Sequence, residues 1–130
     1  MALRYVLDEH LRRRLWKALL KHNSLGIDPV DVIRVGDLLS FPLGIDDRNL
    51  LLSVERERRI LITRDARSMP KYFAAHLRTG HHLPGIFLIR PKAVLTQVVA
   101  FLVYAASSST SSEWKRLDRI HPLIGCIYFT

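Results

Sequence analysis

Ile60 to Asp65 read ILITRD: three aliphatic residues and a threonine, then an arginine and an aspartate. A short apolar run rich in β-branched residues and closed by polar ones predicts a strand. Outward from it the pattern repeats. Gly85 to Ile89 (GIFLI), Arg4 to Leu7 (RYVL) and Asp31 to Val35 (DVIRV) predict three more strands. Helical stretches separate them. Leu11, Leu15 and Leu19 recur at helical spacing with Arg12, Arg13 and Arg14 between, and Asn23 and Gly26 end that helix. After a loop with Pro42 and Gly44, Asp46 or Asp47 caps a helix whose apolar face is Leu50, Leu51 and Val54. A third helix, near Ser68 to Arg78, carries Met69, Phe73 and Leu77 on one stripe.

A last helix from about Lys92 to Ala106 is apolar on most sides, which predicts deep packing or a subunit interface and makes a homodimer an expectation. Residues 106–112, ending in SSSTSS, read as a flexible link. A charged turn, Glu113 to Arg119, and an apolar end, Ile124 to Phe129, follow, and the end is a candidate fifth strand. Strands alternating with helices imply right-handed crossovers. The expectation is an α/β chain: one domain over residues 1–130, three α/β/α layers, and a mainly parallel sheet of four or five strands.

Hydrophobic residues make up 48% of the 130, enough for a core and too many for a disordered chain. The net charge of +8, from 20 Lys+Arg against 12 Asp+Glu, favours a polyanionic partner, nucleic acid first. The single cysteine, Cys126, excludes an intrachain disulfide, and no Cys/His cluster has zinc spacing. The N-terminus meets charge after a very short apolar run, unlike a signal peptide, and Ala93 to Ala106 is too short to cross a bilayer. A cytoplasmic protein with no membrane partner is expected.

Parallel strands all end at one edge of the sheet, and sites form in the crevice there. Asp8 follows the first strand directly, Asp37 the second after Gly36, and Asp65 the third after Arg64. Asp46 and Asp47 start the next helix at the same edge, and Glu9 adjoins Asp8. Each acid alone reads as well as a helix cap. Together they repel, unless a cation or a proton compensates. Hard carboxylate oxygens suit Mg²⁺ or Mn²⁺, and with two such ions a site of this kind cleaves phosphodiesters.

The opening LDEH (Leu7 to His10), the VGDL after the second strand, the IDDRNLL helix start and ILITRD follow the order of the short PIN-like domains, which the chain resembles over roughly Leu3 to Arg90. The resemblance implies a metal-dependent nuclease fold, an endoribonuclease of toxin–antitoxin type with RNA as substrate and an antitoxin protein as partner. Carried over residue by residue, its catalytic and metal-holding acids are Asp8, Asp47 and Asp65, with Glu9, Asp37 and Asp46 as further candidate ligands. The pattern departs at Arg67, where the group often has an acid. That removes a ligand and adds positive charge, so the alternative is a PIN-like module that binds RNA or a protein without cleaving.

Arg12 and Arg13, beside Asp8, and Arg64 and Arg67, flanking Asp65, are the candidate phosphate-binding residues. Arg12, Arg13 and Arg14 span most of a helical turn, so not all of them face one ligand. Arg56, Arg58 and Arg59 precede the third strand, at the far edge, and read as surface charge. His10 stands two residues from Asp8 and reads as a surface histidine or a group beside the metal. His81 and His82 precede the fourth strand, where no ligand partner is legible. Trp16 and Trp114 are expected to pack in the core or an interface. Phosphotransfer is a third class, disfavoured because the fourth strand ends in Arg90-Pro91 with Lys92 displaced, and because His10 occupies the position of a phosphatase acid.

Overall fold

A computed structural model describes residues 3–108 and 124–128 of the chain. Five strands, β1 (Arg4–Leu7), β2 (Asp31–Arg34), β3 (Ile60–Thr63), β4 (Gly85–Ile89) and β5 (Ile124–Tyr128), form one sheet in the order β2-β1-β3-β4-β5. The first four are parallel, and β5 runs antiparallel to β4. The register places Leu7 beside Arg34 on one side and Ile62 on the other, so β1, β2 and β3 end level. Four helices connect them: α1 (Arg14–Ser24), α2 (Asp47–Glu57), α3 (Met69–Arg78) and α4 (Leu95–Ser108). A 3-10 turn, Glu9–Leu11, precedes α1.

The period of two along each strand sorts the core into two halves. Tyr5, Leu7, Ile60, Ile62, Phe87 and Ile89 face one way and pack with Leu15 and Leu19 of α1 and Val98, Phe101 and Leu102 of α4. Val6, Leu61, Ile86 and Leu88 face the other way and pack with Leu50, Leu51 and Val54 of α2 and Met69 and Phe73 of α3. The architecture is therefore α/β/α in three layers. Each fully buried Leu, Ile or Phe contributes about 1.5–3 kcal/mol through the apolar area removed from water. The buried Tyr5 hydroxyl donates to Leu102 O at 2.7 Å and ties β1 to α4.

Several local expectations change in three dimensions. The helical spacing of Leu11, Leu15 and Leu19 is interrupted: Leu11 lies in the 3-10 turn, and α1 starts at Arg14. At that break Arg12 Nε donates to Val35 O at 2.8 Å, joining the turn to the end of β2. On α3 the stripe continues through His76, not Leu77. His76 is buried while Leu77 is exposed, because Glu55 on the facing α2 receives the His76 ring at 2.9 Å. Arg59, expected on the surface, is only 5% exposed. Its Nη1 donates to Tyr5 O at 3.0 Å and to Asp31 Oδ1 at 2.8 Å, pinning three strands at their amino ends. Trp16 packs half-buried against the core with the Arg34 guanidinium 4.7 Å from its ring centre. The last helix starts at Leu95 and continues to Ser108, into the first part of the expected flexible link. The rest of that link, the charged turn with Trp114, and Phe129 lie outside the described residues. No helix among the described residues is long and apolar enough to cross a membrane.

Candidate functional site

The strand order reverses at β1. The chain leaves β1 through α1 to β2 on one side, then crosses back to β3 on the other, with α1 and α2 on opposite faces. A crevice opens beyond the carboxyl ends of neighbouring strands at such a switch point. Asp8 and Asp65 sit at this one.

Asp8 continues the pairing of β1, its N–H donating to Ile62 O at 3.0 Å. Its Oδ1 accepts from Glu9 N at 2.7 Å, which caps the 3-10 turn. Its Oδ2 accepts from Thr63 Oγ1 at 2.8 Å. The Thr63 hydroxyl also accepts from the Asp65 N–H at 3.1 Å, so one fully buried side chain aligns both aspartates. Asp65 Oδ1 accepts from Ser68 N at 2.9 Å, ahead of α3. Asp8 thus does cap the turn that follows it, whereas Asp65 closes a turn onto Ser68, the residue that stands at the cap position of α3.

Asp47 opens α2 behind the cap residue Asp46. Its carboxyl is held above the usual range by partial burial, then by the charges of Asp8, Asp65 and Asp46, against a weaker opposing influence of His10. Asp47 makes no hydrogen bond or ion pair among the described residues. Asp46 is different. It is exposed, accepts from Asn49 N and Nδ2 at 2.8 and 2.7 Å, and is held below the usual range first by that backbone bond.

The other candidate acids are spoken for. Asp37 closes a turn on its own strand, accepting from Arg34 N at 3.1 Å and Arg34 Nε at 2.9 Å. Glu9 Oε1 accepts from Gly44 N and fastens the loop after β2. The structure draws Asp8, Asp47 and Asp65 into one field, and of the six candidate acids only Asp47 makes no hydrogen bond among the described residues.

A cleft of about 610 Å³ lies at the same edge. Arg12, Arg13, Arg14, Arg64 and Arg90 line it, with Glu9 and His10, the neighbours of Asp8. The aspartates are not in its lining. Asp8 and Asp65 adjoin it in sequence through Glu9 and Arg64, while Asp46 and Asp47 line a separate hollow with Arg48, Asn49, Leu52 and Tyr72. Arg67 is exposed and lies outside the lining. Sequence reasoning missed Thr63, whose hydroxyl looks like any strand-end threonine, and Arg90, which only the meeting of β4 with α1 brings in.

At the opposite edge, Glu55, His76 and His81 offer ligand atoms that all lie within 4.8 Å of one another, the one such group of three among the described residues. Asp8, Asp47 and Asp65 do not form such a group. No sequence signal joins these three, because Glu55 is on α2, His76 on α3 and His81 in the turn before β4. No family model, curated protein or solved structure matches this chain.

Proposed function

We propose that this chain is a Mg²⁺- or Mn²⁺-dependent nuclease of PIN-like architecture that cleaves RNA. The observation that carries the reading is Asp47: a half-buried carboxylate with no partner among the described residues, in the field of Asp8 and Asp65 at the switch point of the sheet. Such a group is unfavourable unless a cation or a proton offsets it. The donor set fits a hard divalent ion. Asp47 has both oxygens unengaged, and Asp65 has Oδ2 unengaged among the described residues. Mg²⁺ keeps several waters and takes only one or two carboxylates, so it does not need all three in direct contact.

Asp8, Asp47 and Asp65 would hold the ion, which when bound supplies Lewis-acid activation of a phosphodiester. Thr63 keeps Asp8 and Asp65 aligned. Arg13, Arg14, Arg64 and Arg90 supply positive charge along the cleft, where a polyanionic strand is drawn in and held. Arg12 contributes from a fixed position, since its Nε is committed to Val35 O. The resemblance to short PIN-like domains extends the reading to a toxin restrained by an antitoxin protein, and loss of viable cells on induction of the chain checks that part.

Incubation of single-stranded RNA with Mn²⁺ and the protein tests the activity. Cleavage is expected, and it is expected to vanish in Asp8→Asn and Asp65→Asn; equal cleavage by both variants would sink the proposal. Arg67 favours a second reading, an RNA- or protein-binding module without chemistry, because it places a cation where the resemblance calls for an acid. Calorimetry with Mn²⁺ separates the two: metal binding that depends on Asp8 and Asp65 counts against the second.

A further inference from the structure

The geometry points to a second, independent metal site at the amino edge of the sheet, in which Glu55, His76 and His81 bind a divalent transition ion of the zinc class. The three residues come from α2, α3 and the turn before β4. His76 Nε2 lies 2.9 Å from Glu55 Oε1, and His81 Nδ1 lies 3.3 Å from Glu55 Oε2. A tetrahedral zinc ion with bonds of about 2.0–2.1 Å holds neighbouring ligand atoms about 3.3 Å apart. The two Glu55 contacts, made by different carboxylate oxygens, are near that length, and one atom from each residue lies within 4.8 Å of the others, so side-chain rotation toward a shared centre completes one face of the tetrahedron.

The donor chemistry is selective. Two imidazole nitrogens and one carboxylate oxygen are the set of an open zinc site, and imidazole does not suit the hard ions that all-carboxylate sites take. The ligands are already held in place. Glu55 Oε1 accepts from the backbone N–H of His82 at 2.6 Å, which fixes the carboxylate as orienting partners do around bound metals. The His76 and His81 rings stack at 4.9 Å between centres with 24° between planes, so both are preset. His76 is 6% exposed, and its Nε2 already meets Glu55 Oε1 at 2.9 Å and His82 O at 3.4 Å, contacts that a bound ion would replace.

The third face of the group is open. Glu55 and His81 side chains are 34% and 41% exposed, leaving room for an ion to enter. His76 and His81 also line the end of a cavity of about 400 Å³ between α2 and α3, flanked by Leu51, Leu52 and Tyr72. A fourth coordination position is thus left for water or a small ligand. The ion would clamp the carboxyl ends of α2 and α3 to the turn before β4, at the far end of α2 from Asp47. It does not depend on the nuclease reading.

The test is calorimetry of the full chain, stripped with chelator, against Zn²⁺. Binding of one Zn²⁺ per chain at this site is expected, unaffected by Asp8→Asn/Asp65→Asn together and weakened at least about tenfold by His81→Ala and by Glu55→Gln. At 100 times the dissociation constant, Zn²⁺ is expected to raise the melting temperature by roughly 5–10 °C. Co²⁺ in place of Zn²⁺ is expected to give the intense visible bands of a four- or five-coordinate site with nitrogen ligands, lost in His81→Ala. Because His76 is buried, the two more exposed ligands carry the test. Absence of Zn²⁺ binding, equal affinity in His81→Ala and Glu55→Gln, or loss of binding in the aspartate variant would overturn the proposal.

Discussion

Replacing Thr63 by valine removes one hydroxyl and leaves the shape of the side chain almost unchanged. That hydroxyl donates to Asp8 Oδ2 at 2.8 Å and accepts from Asp65 N at 3.1 Å, in a residue with no exposed surface. A hydrogen bond to a charged acceptor contributes about 1.5–3 kcal/mol to stability. The added methyl returns at most about 0.8 kcal/mol through apolar burial. The bond from the Asp65 N–H is only part-buried, so its loss is counted as a small addition. The net cost is about 1–2 kcal/mol, a fall of about 4–8 °C in melting temperature for a domain of this size. The larger effect is on metal binding. Partners that orient metal ligands typically control about 10–100-fold in affinity, and Thr63 orients two. Differential scanning calorimetry and Mn²⁺ titration read both quantities. Thr63→Ser, which keeps the hydroxyl and loses the methyl, is expected to restore metal affinity while remaining somewhat destabilised. A valine variant that melts within about 1 °C of the parent and binds Mn²⁺ within about twofold would refute the role given to the Thr63 hydroxyl.

Asp47→Asn is expected to stabilise the metal-free protein and weaken Mn²⁺ binding. The folded protein holds this carboxyl above its ordinary value, so its ionisation opposes folding; the advantage of the asparagine variant should be absent in acid and grow as pH rises through the ordinary carboxylate range to the raised folded value, as thermal melts against pH will show. Asp31→Asn is expected to cost about 1–2 kcal/mol at neutral pH, because it strips buried Arg59 of its one carboxylate, discounted for the exposure of Asp31. Burial alone would raise the Asp31 carboxyl, but Arg59 and then Arg4 hold it below the usual range, so this contribution is present above the ordinary carboxylate value and lost as pH falls through the depressed one. Arg13→Ala is expected to weaken RNA binding and reduce its salt slope by about 1 with little effect on melting, whereas Arg12→Ala lowers both, since Arg12 also bonds Val35 O; filter binding at several salt concentrations distinguishes them.

The sequence by itself determined the layering. Runs such as ILIT and GIFLI have no polar face, so they are strands between two layers of helices, and the residues after them fall at one edge because parallel strands share a direction. That was enough to bring Asp8 and Asp65 together and to set Asp46 or Asp47 at the head of α2. The tertiary structure decided which acids remain available. Asp37 is taken by Arg34 three residues away, while Asp47 has no partner among the described residues, a difference that depends on which side chains reach which backbone turns. It also decided the amino edge. Arg59 reads as surface charge until Tyr5 O and Asp31 close around it, and His76 and Leu77 compete for the same stripe of α3 until Glu55 on α2 selects the histidine. Periodicity assigns a residue to a face. What that face meets is set by packing between elements far apart in the chain, and so the group formed by Glu55, His76 and His81 is visible only in three dimensions.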